Sequence, residues 1–295
     1  MPNYLKLTAQ YTYSGYQPEK HNLYRISIQL RLNGFSFVIV NPENTELLKL
    51  SEYAFASSNG SIESQWDILH DEVLKFLDEN AFMGQKFQNA RIVLDHKDFN
   101  FLPKAFYKTD QIHQQFSFSQ DIHYKHYISS HEIVGSDRMI YYSIPQRINN
   151  LIQDYFEGAP IYHIDHVFQH EVLKLHKNKK RPSTMYVYVS NRDFHILVMS
   201  KEEVLFQNAF NFTSKEDFIY FILLTYDQLE MNPEEDPIYL LGEISRSSAL
   251  YNICWQYVRH VKLLNDYTDM IIGNDFDQMS VHQYFLLIHS SICEL

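Results

Sequence analysis

The chain has 295 residues, 45% hydrophobic and 21% charged, a folded globular composition with length enough for about two domains. Lys and Arg number 25 against 36 Asp and Glu, a formal charge of −11, which argues against a nucleic-acid partner because phosphate backbones need clustered positive charge. Glycine is scarce at eight residues, so loops that bring backbone close to a ligand have little to draw on, while 22 Tyr and 21 Phe favour strands.

The segment Met1–Gln17 lacks the basic start and apolar run of a secretory signal. The longest apolar stretch, Phe218–Leu224, is far short of the roughly 20 residues a membrane span needs. Cys254 and Cys293 form no Cys-x-x-Cys pattern, which reads as two buried thiols rather than a disulfide scaffold or a zinc site. These features point to a cytoplasmic protein with no membrane insertion.

Residues Tyr24–Leu32 alternate, with Ile26, Ile28, Leu30 and Leu32 on one face and Arg25, Ser27, Gln29 and Arg31 on the other, as in a half-buried strand. Asn33-Gly34 then predicts a tight hairpin into Phe35–Val40, both turn residues taking positive φ. A third strand is expected over Glu46–Phe55. Ser64 and Asp67 fit a helix start, and Trp66, Leu69, Val73, Phe76 and Leu77 make one apolar stripe behind it. Ala90–Asp95 reads as a short buried strand.

Arg138–Pro145 reads as a strand, Gln146–Phe156 as a helix, Ala159–Ile164 as a short strand and Asp165–His176 as a connecting helix. The basic run Lys177–Arg181, ending in Pro182, is the best domain boundary. Strands are expected at Met185–Val189, Phe194–Ser200 and Val204–Phe212. Thr213 and Glu216 then suit a capping box ahead of a helix with the stripe Phe218, Phe221, Ile222, Thr225 and Leu229. Pro237–Gly242 is a short buried strand, Ser247–Tyr257 a helix and Arg259–Asn265 a strand.

Each half therefore reads β-β-β-α-β-α-β, and two copies in one order indicate duplication more readily than two unrelated α+β domains. Phe35 to Ser64 spans 29 positions and Phe194 to Thr213 spans 19, which assigns about ten extra residues to the first copy, in the Ser57–Ser61 loop and the Asn41–Thr45 turn.

A duplicated unit of this order resembles the actin-like ATPase (ribonuclease H-like) fold, an α/β architecture of two domains with mixed sheets flanked by helices. The segment MIYYSIPQRINNLIQDYF…APIYHIDHVFQHEVLKL resembles actin-like pilus-assembly and type II secretion proteins. LYRISIQLRLNGFSFVIV and VHQYFLLIHSSICEL resemble an uncharacterised bacterial family, domain of unknown function 3822. The resemblance implies a first domain over residues 1–181, a second over 182–279, and a final helix at about 280–293 returning to the first.

It also implies where a nucleotide would sit. Actin-like ATPases carry an Asp-x-Gly turn in each domain for phosphate and metal, and a Gly-Gly pair beside the adenosine. Here the first turn keeps Asn33 and Gly34 but has Leu32 in place of the acid. The second has Arg192 and Asp193 without glycine, and the third keeps Gly242 but substitutes Glu243. Asp95, at a strand end, suits either a catalytic acid or a helix cap. Backbone N–H groups must approach phosphate closely and an acid must hold Mg²⁺ through water, so these losses predict no cofactor, or weak ATP with Mg²⁺ at most.

Among other motifs, His166 and His170 stand i, i+4 on a helix expected to be wet and acidic. His123, His126, His131 and Glu132 form a looser group. Neither set has a third and fourth ligand at defined spacing, so no metal is expected. The expectation is a cytoplasmic, degenerate ATPase serving as a protein-binding or scaffold module for a protein or peptide partner, with homo-oligomers allowed. The alternatives are a divergent nucleotide-binding ATPase or kinase, and a metal-dependent enzyme using the histidines.

Overall fold

The computed structural model describes residues 5–55, 61–80, 87–117, 126–176, 183–265 and 270–293. Contacts divide the chain into two compact units, residues 1–167 with 268–279 and 287–295, and residues 168–267 with 280–286. This division falls ahead of the basic run Lys177–Arg181, which lies outside the described residues, as do Ser57–Gly60 and His123.

The first unit contains β1 (Leu5–Thr12), β2 (Arg25–Arg31), β3 (Gly34–Asn41), β4 (Glu46–Phe55), α1 (Ile62–Glu79), β5 (Asn89–Asp95), β6 (Phe99–Pro103), α2 (Ile112–Ser117), β7 (His126–Glu132), β8 (Arg138–Pro145), α3 (Gln146–Tyr155), β9 (Ile161–His163) and the start of α4 (Ile164–His176). Its main sheet has the order β1-β4-β3-β2-β5-β9, and β6-β8-β7 form a separate antiparallel sheet. The second unit contains β10 (Thr184–Val189), β11 (Asp193–Ser200), β12 (Glu203–Asn211), α5 (Lys215–Gln228), β13 (Ile238–Gly242), α6 (Ala249–Tyr257), β14 (Val261–Leu263) and the first part of α7 (Val281–Ser290).

The second sheet has the order β12-β11-β10-β13-β14. Its two antiparallel and two parallel pairings repeat those of β4-β3-β2-β5-β9 strand for strand. The duplication is thus one of sheet order and direction. The inserted three-stranded sheet and β1 lie outside the repeat.

Each sheet buries one face under its helices. In the first unit Trp66, Leu69, Val73, Phe76 and Leu77 of α1 are buried, and Val73, Phe76 and Leu77 share an apolar pocket with Ile28, Leu30, Phe35 and Ile92 of the sheet and Leu151 and Ile152 of α3. In the second, Phe218, Ile222 and Tyr226 of α5 cluster with Val187, Phe194, Ile196 and Leu240. A fully buried side chain of this size contributes roughly 1.5–3 kcal/mol, so these faces supply most of what holds each unit together.

Four local expectations are corrected. The cap of α1 is Ser61, whose side chain accepts from the Ser64 N–H, so Ser64 is already inside the helix. The capping box of α5 is Ser214 with Asp217, one residue beyond Thr213 and Glu216. The shorter Asp217 carboxylate accepts from the N–H groups of both Thr213 and Ser214.

The β2–β3 hairpin has Leu32 and Asn33 as its loop residues, and neither takes positive φ, so it is not the Asn-Gly turn expected. Gly34 is instead the first residue of β3. Finally, α4 is not wet: Asp165, His166, Gln169, Glu171 and His176 are all buried.

Candidate nucleotide cradle

Counting outward from the two hairpin loops puts the units in register. Leu32-Asn33 correspond to Asn191-Arg192, the second loop being closed by the Ser190 N–H donating to the Asp193 carbonyl at 3.0 Å. Gly34 then matches Asp193, Arg31 matches Ser190, Gln29 matches Tyr188 and Ser27 matches Tyr186. Arg31 pairs with Asp95 on β5, and Val189 pairs with Gly242 on β13, so Asp95 matches Glu243.

In the first unit this register makes a polar face, and that face is buried. Ser27, Gln29 and Arg31 are 0%, 4% and 7% exposed, so the strand is covered on both sides rather than half-buried. Several of its polar groups find partners within the unit. Gln29 Nε2 donates to Asp95 Oδ2 at 2.8 Å, and Arg31 Nη2 donates to Glu52 Oε1 at 2.6 Å. Ser27 shares a hydrogen bond of 2.6 Å with Ser290 at the end of α7, and Arg91 Nη1 donates to the Ser290 carbonyl at 2.9 Å.

Gly34 and Asp95 therefore flank Arg31 on either side, and the space where a side chain of residue 34 would stand is occupied by β4. A Cβ at Gly34 would stand 2.1 Å from the Tyr53 carbonyl oxygen and 2.9 Å from Ala54 Cα, so the missing side chain lets β4 close on β3. Asn33 is half-buried, and its carbonyl accepts from the Phe55 N–H at 2.8 Å.

The second unit differs in character. Tyr186 shares a 2.8 Å hydrogen bond with His176, and Tyr188 packs on the buried ring of His195, whose Nε2 lies 3.9 Å from Asp193 Oδ1. Arg192 is exposed at the loop tip, its carbonyl taken by the Phe212 N–H. Gly242, at φ +86°, again serves strand contact, since a Cβ there would stand 2.2 Å from the Val189 carbonyl oxygen. The Glu243 N–H donates to that same oxygen at 2.8 Å, and its side chain is half-buried.

Arg31, Gln29 and Glu52 were not singled out as site residues. A polar stripe on an alternating strand looks the same whether water or other side chains cover it, and Glu52 lies 21 positions from its partner.

The histidines of the two sequence clusters contact the following groups. His163 Nε2 donates to the His96 carbonyl at 2.8 Å, and its Nδ1 accepts from the Asp165 N–H at 3.1 Å. His131 packs between Tyr162 and His166 at ring distances of 4.9 and 5.7 Å, and burial holds its imidazole below the ordinary value. His126 on β7 lies 3.4 Å from Glu63, beside a cavity of about 400 Å³ lined also by Trp66, Pro145 and Arg147. Glu132 pairs with Lys104, and His170 with Glu171.

Among the described residues no helix is long and apolar enough to cross a membrane. A Bacteroides thetaiotaomicron protein of unknown function with the actin-like ATPase fold superposes with a TM-score of 0.75 at 20% identity, over 95% of this chain and 99% of the other. A PilM–PilN type IV pilus biogenesis complex superposes with a TM-score of 0.59 at 8% identity, over 92% of this chain and 100% of the other. No curated protein matches the sequence. The fold is therefore the actin-like ATPase fold, and since the model of the family described as protein of unknown function (DUF3822) matches residues 14–261, the chain belongs to that family.

Proposed function

We propose that this protein is a degenerate actin-like ATPase that works in the cytoplasm as a protein-binding or scaffold module, without a nucleotide cofactor. The observation that carries the reading is the use of Gly34. In a phosphate-binding turn, glycine lets backbone N–H groups reach the ligand. Here the space beside its Cα is taken by the Tyr53 carbonyl 2.1 Å from a would-be Cβ, and the adjoining Arg31 is engaged by Glu52. Leu32 offers no ligand atom for a metal or its waters. In the second unit Gly242 is spent on strand contact in the same way, and Glu243 adds negative charge where a nucleotide would need none. Similarity to a structure solved as a PilM–PilN complex supports a protein partner rather than a small substrate.

The divergent-enzyme alternative rests on Arg192, an exposed guanidinium able to hold phosphate directly. Thermal unfolding with ATP and Mg²⁺ separates the two. Ligand at 100 times its Kd adds about 2.7 kcal/mol of stability, a shift of several degrees, if the native state binds it. The expected result is an unchanged melting temperature at millimolar ATP; a saturable rise that Arg192→Ala removes supports the enzyme.

A further inference from the structure

The two sheets differ at one edge. In the first unit β4 is covered by β1, which runs antiparallel to it with Leu7 across from Tyr53 and Tyr11 across from Leu50. In the second unit β12 holds the place of β4, and among the described residues no strand pairs with its outer side.

The match extends to side chains. Phe35 pairs with Tyr53 at 5.0 Å between rings, and Phe194 pairs with Phe210 at 5.7 Å. Tyr53 packs on Phe76 of α1 at 4.8 Å, and Phe210 on Phe221 of α5 at 4.6 Å. In the first unit β1 lays Leu7 beside this aromatic group. In the second Phe210 and Phe221 are half-buried, next to Tyr220 and Leu224 of α5, which are 59% and 38% exposed.

The backbone at this edge is suited to pairing. The Phe212 N–H donates to the Arg192 carbonyl, so by antiparallel alternation Asn208 and Phe210 bond toward β11, while Ala209 and Asn211 direct their groups outward. The Ala209 N–H is met by its neighbour's side chain, Asn208 Oδ1 at 2.9 Å, in place of a strand. Leu205 is the extra residue of a bulge, which leaves Phe206–Asn211 in regular register. Between Glu203 and Asn211 there is no Pro, Lys or Arg, the residues that commonly guard an edge.

We propose that the outer edge of β12, over Gln207–Asn211, takes an extended segment of a partner protein with apolar side chains at alternate positions, added antiparallel as β1 is added to β4. This gives a location and a partner class to the protein-binding function proposed above, and rests on that reading. Main-chain bonds to Ala209 and Asn211 supply register, and an apolar side chain set against Phe210 and Phe221 supplies selectivity.

The test is amide hydrogen exchange on the full-length protein. The probe is a synthetic peptide of the Leu5–Thr12 sequence, the strand that covers the equivalent edge. At saturating peptide the Ala209 and Asn211 amides are expected to slow at least tenfold, and those of Asn208 and Phe210, already in the ladder, less than threefold. Ala209→Pro removes an outward N–H and should abolish the effect. As a control independent of folding, the same peptide N-methylated on the amides that would face β12 should give no protection.

Absence of slowing, slowing at other strands, or equal slowing by the N-methylated peptide overturns the proposal. Slowing without peptide, rising with protein concentration and accompanied by a doubled mass in light scattering, gives the edge to a second copy and also overturns it. Because the readout does not involve nucleotide, its failure is distinguishable from ATP binding in the thermal assay, which would instead sink the degenerate-ATPase reading.

Discussion

Glu52→Gln leaves the Arg31 guanidinium in a site where the two side chains are 9% and 11% exposed and 2.6 Å apart. At an effective dielectric constant of 20, that separation corresponds to a Coulomb attraction of about 6 kcal/mol, offset by several kcal/mol of desolvation for each ion. The intact pair is thus close to neutral in net stability, but removing one member exposes the full cost of the other. Glu52→Gln and Arg31→Met should each destabilise the first unit by about 3–5 kcal/mol, whereas the double variant Arg31→Met, Glu52→Leu should fall within roughly 1 kcal/mol of the parent. Urea unfolding, followed by tyrosine fluorescence and far-ultraviolet circular dichroism, measures all three. Single-variant losses under about 1 kcal/mol would refute the reasoning, because they would mean that water or a ligand reaches Arg31 in the native protein.

Gly242→Ala forces a Cβ to 2.2 Å from the Val189 carbonyl at φ +86° and should cost about 3 kcal/mol or more, read as a lowered urea midpoint of the second unit. Ser214→Ala removes the cap acceptor for the Asp217 N–H and should cost about 1 kcal/mol, read as a lowered urea midpoint; an unchanged midpoint would contradict the observed register. Burial depresses the His131 pKa, so the unfolded chain takes up its proton near pH 6.5 and the folded chain only at lower pH. The stability this neutral ring contributes above pH 6.5 is lost as pH falls through that window, with a slope of at most about 1.4 kcal/mol per pH unit. Urea midpoints between pH 7.5 and 5 should therefore show a shallower decline in His131→Gln than in the parent.

Much of the repeat was legible because its elements carry strong periodicity. The alternation at Tyr24–Leu32 and the stripe from Trp66 to Leu77 each have one pattern and fix the element, although only the stripe also fixes which side is buried. β1 went unread although Leu5, Leu7, Ala9 and Tyr11 alternate, because most of this edge strand's side chains stay exposed and no turn signal marks its start. In the inserted sheet β8 is legible at Arg138–Pro145, but β6 and β7 are as quiet as β1, as in His126–Glu132, where polar residues fill most positions.

The turn at Leu32-Asn33 was misread for a specific reason. Asn-Gly predicts positive φ from local preference alone, whereas Gly34 answers to the Tyr53 carbonyl, a contact 19 positions away. The candidate cradle failed to show itself on the same ground. Arg31, Gln29, Glu52 and Asp95 are ordinary polar residues of three strands until sheet order places them on one covered face.

Isothermal titration of ATP with Mg²⁺ into the full-length protein tests the central claim most directly. The degenerate-ATPase reading predicts no saturable heat at millimolar ATP and phosphate release at the background rate. A micromolar affinity that disappears in Arg192→Ala would contradict it, and would make Asn33, Gly34, Arg192 and Gly242 parts of a working nucleotide site.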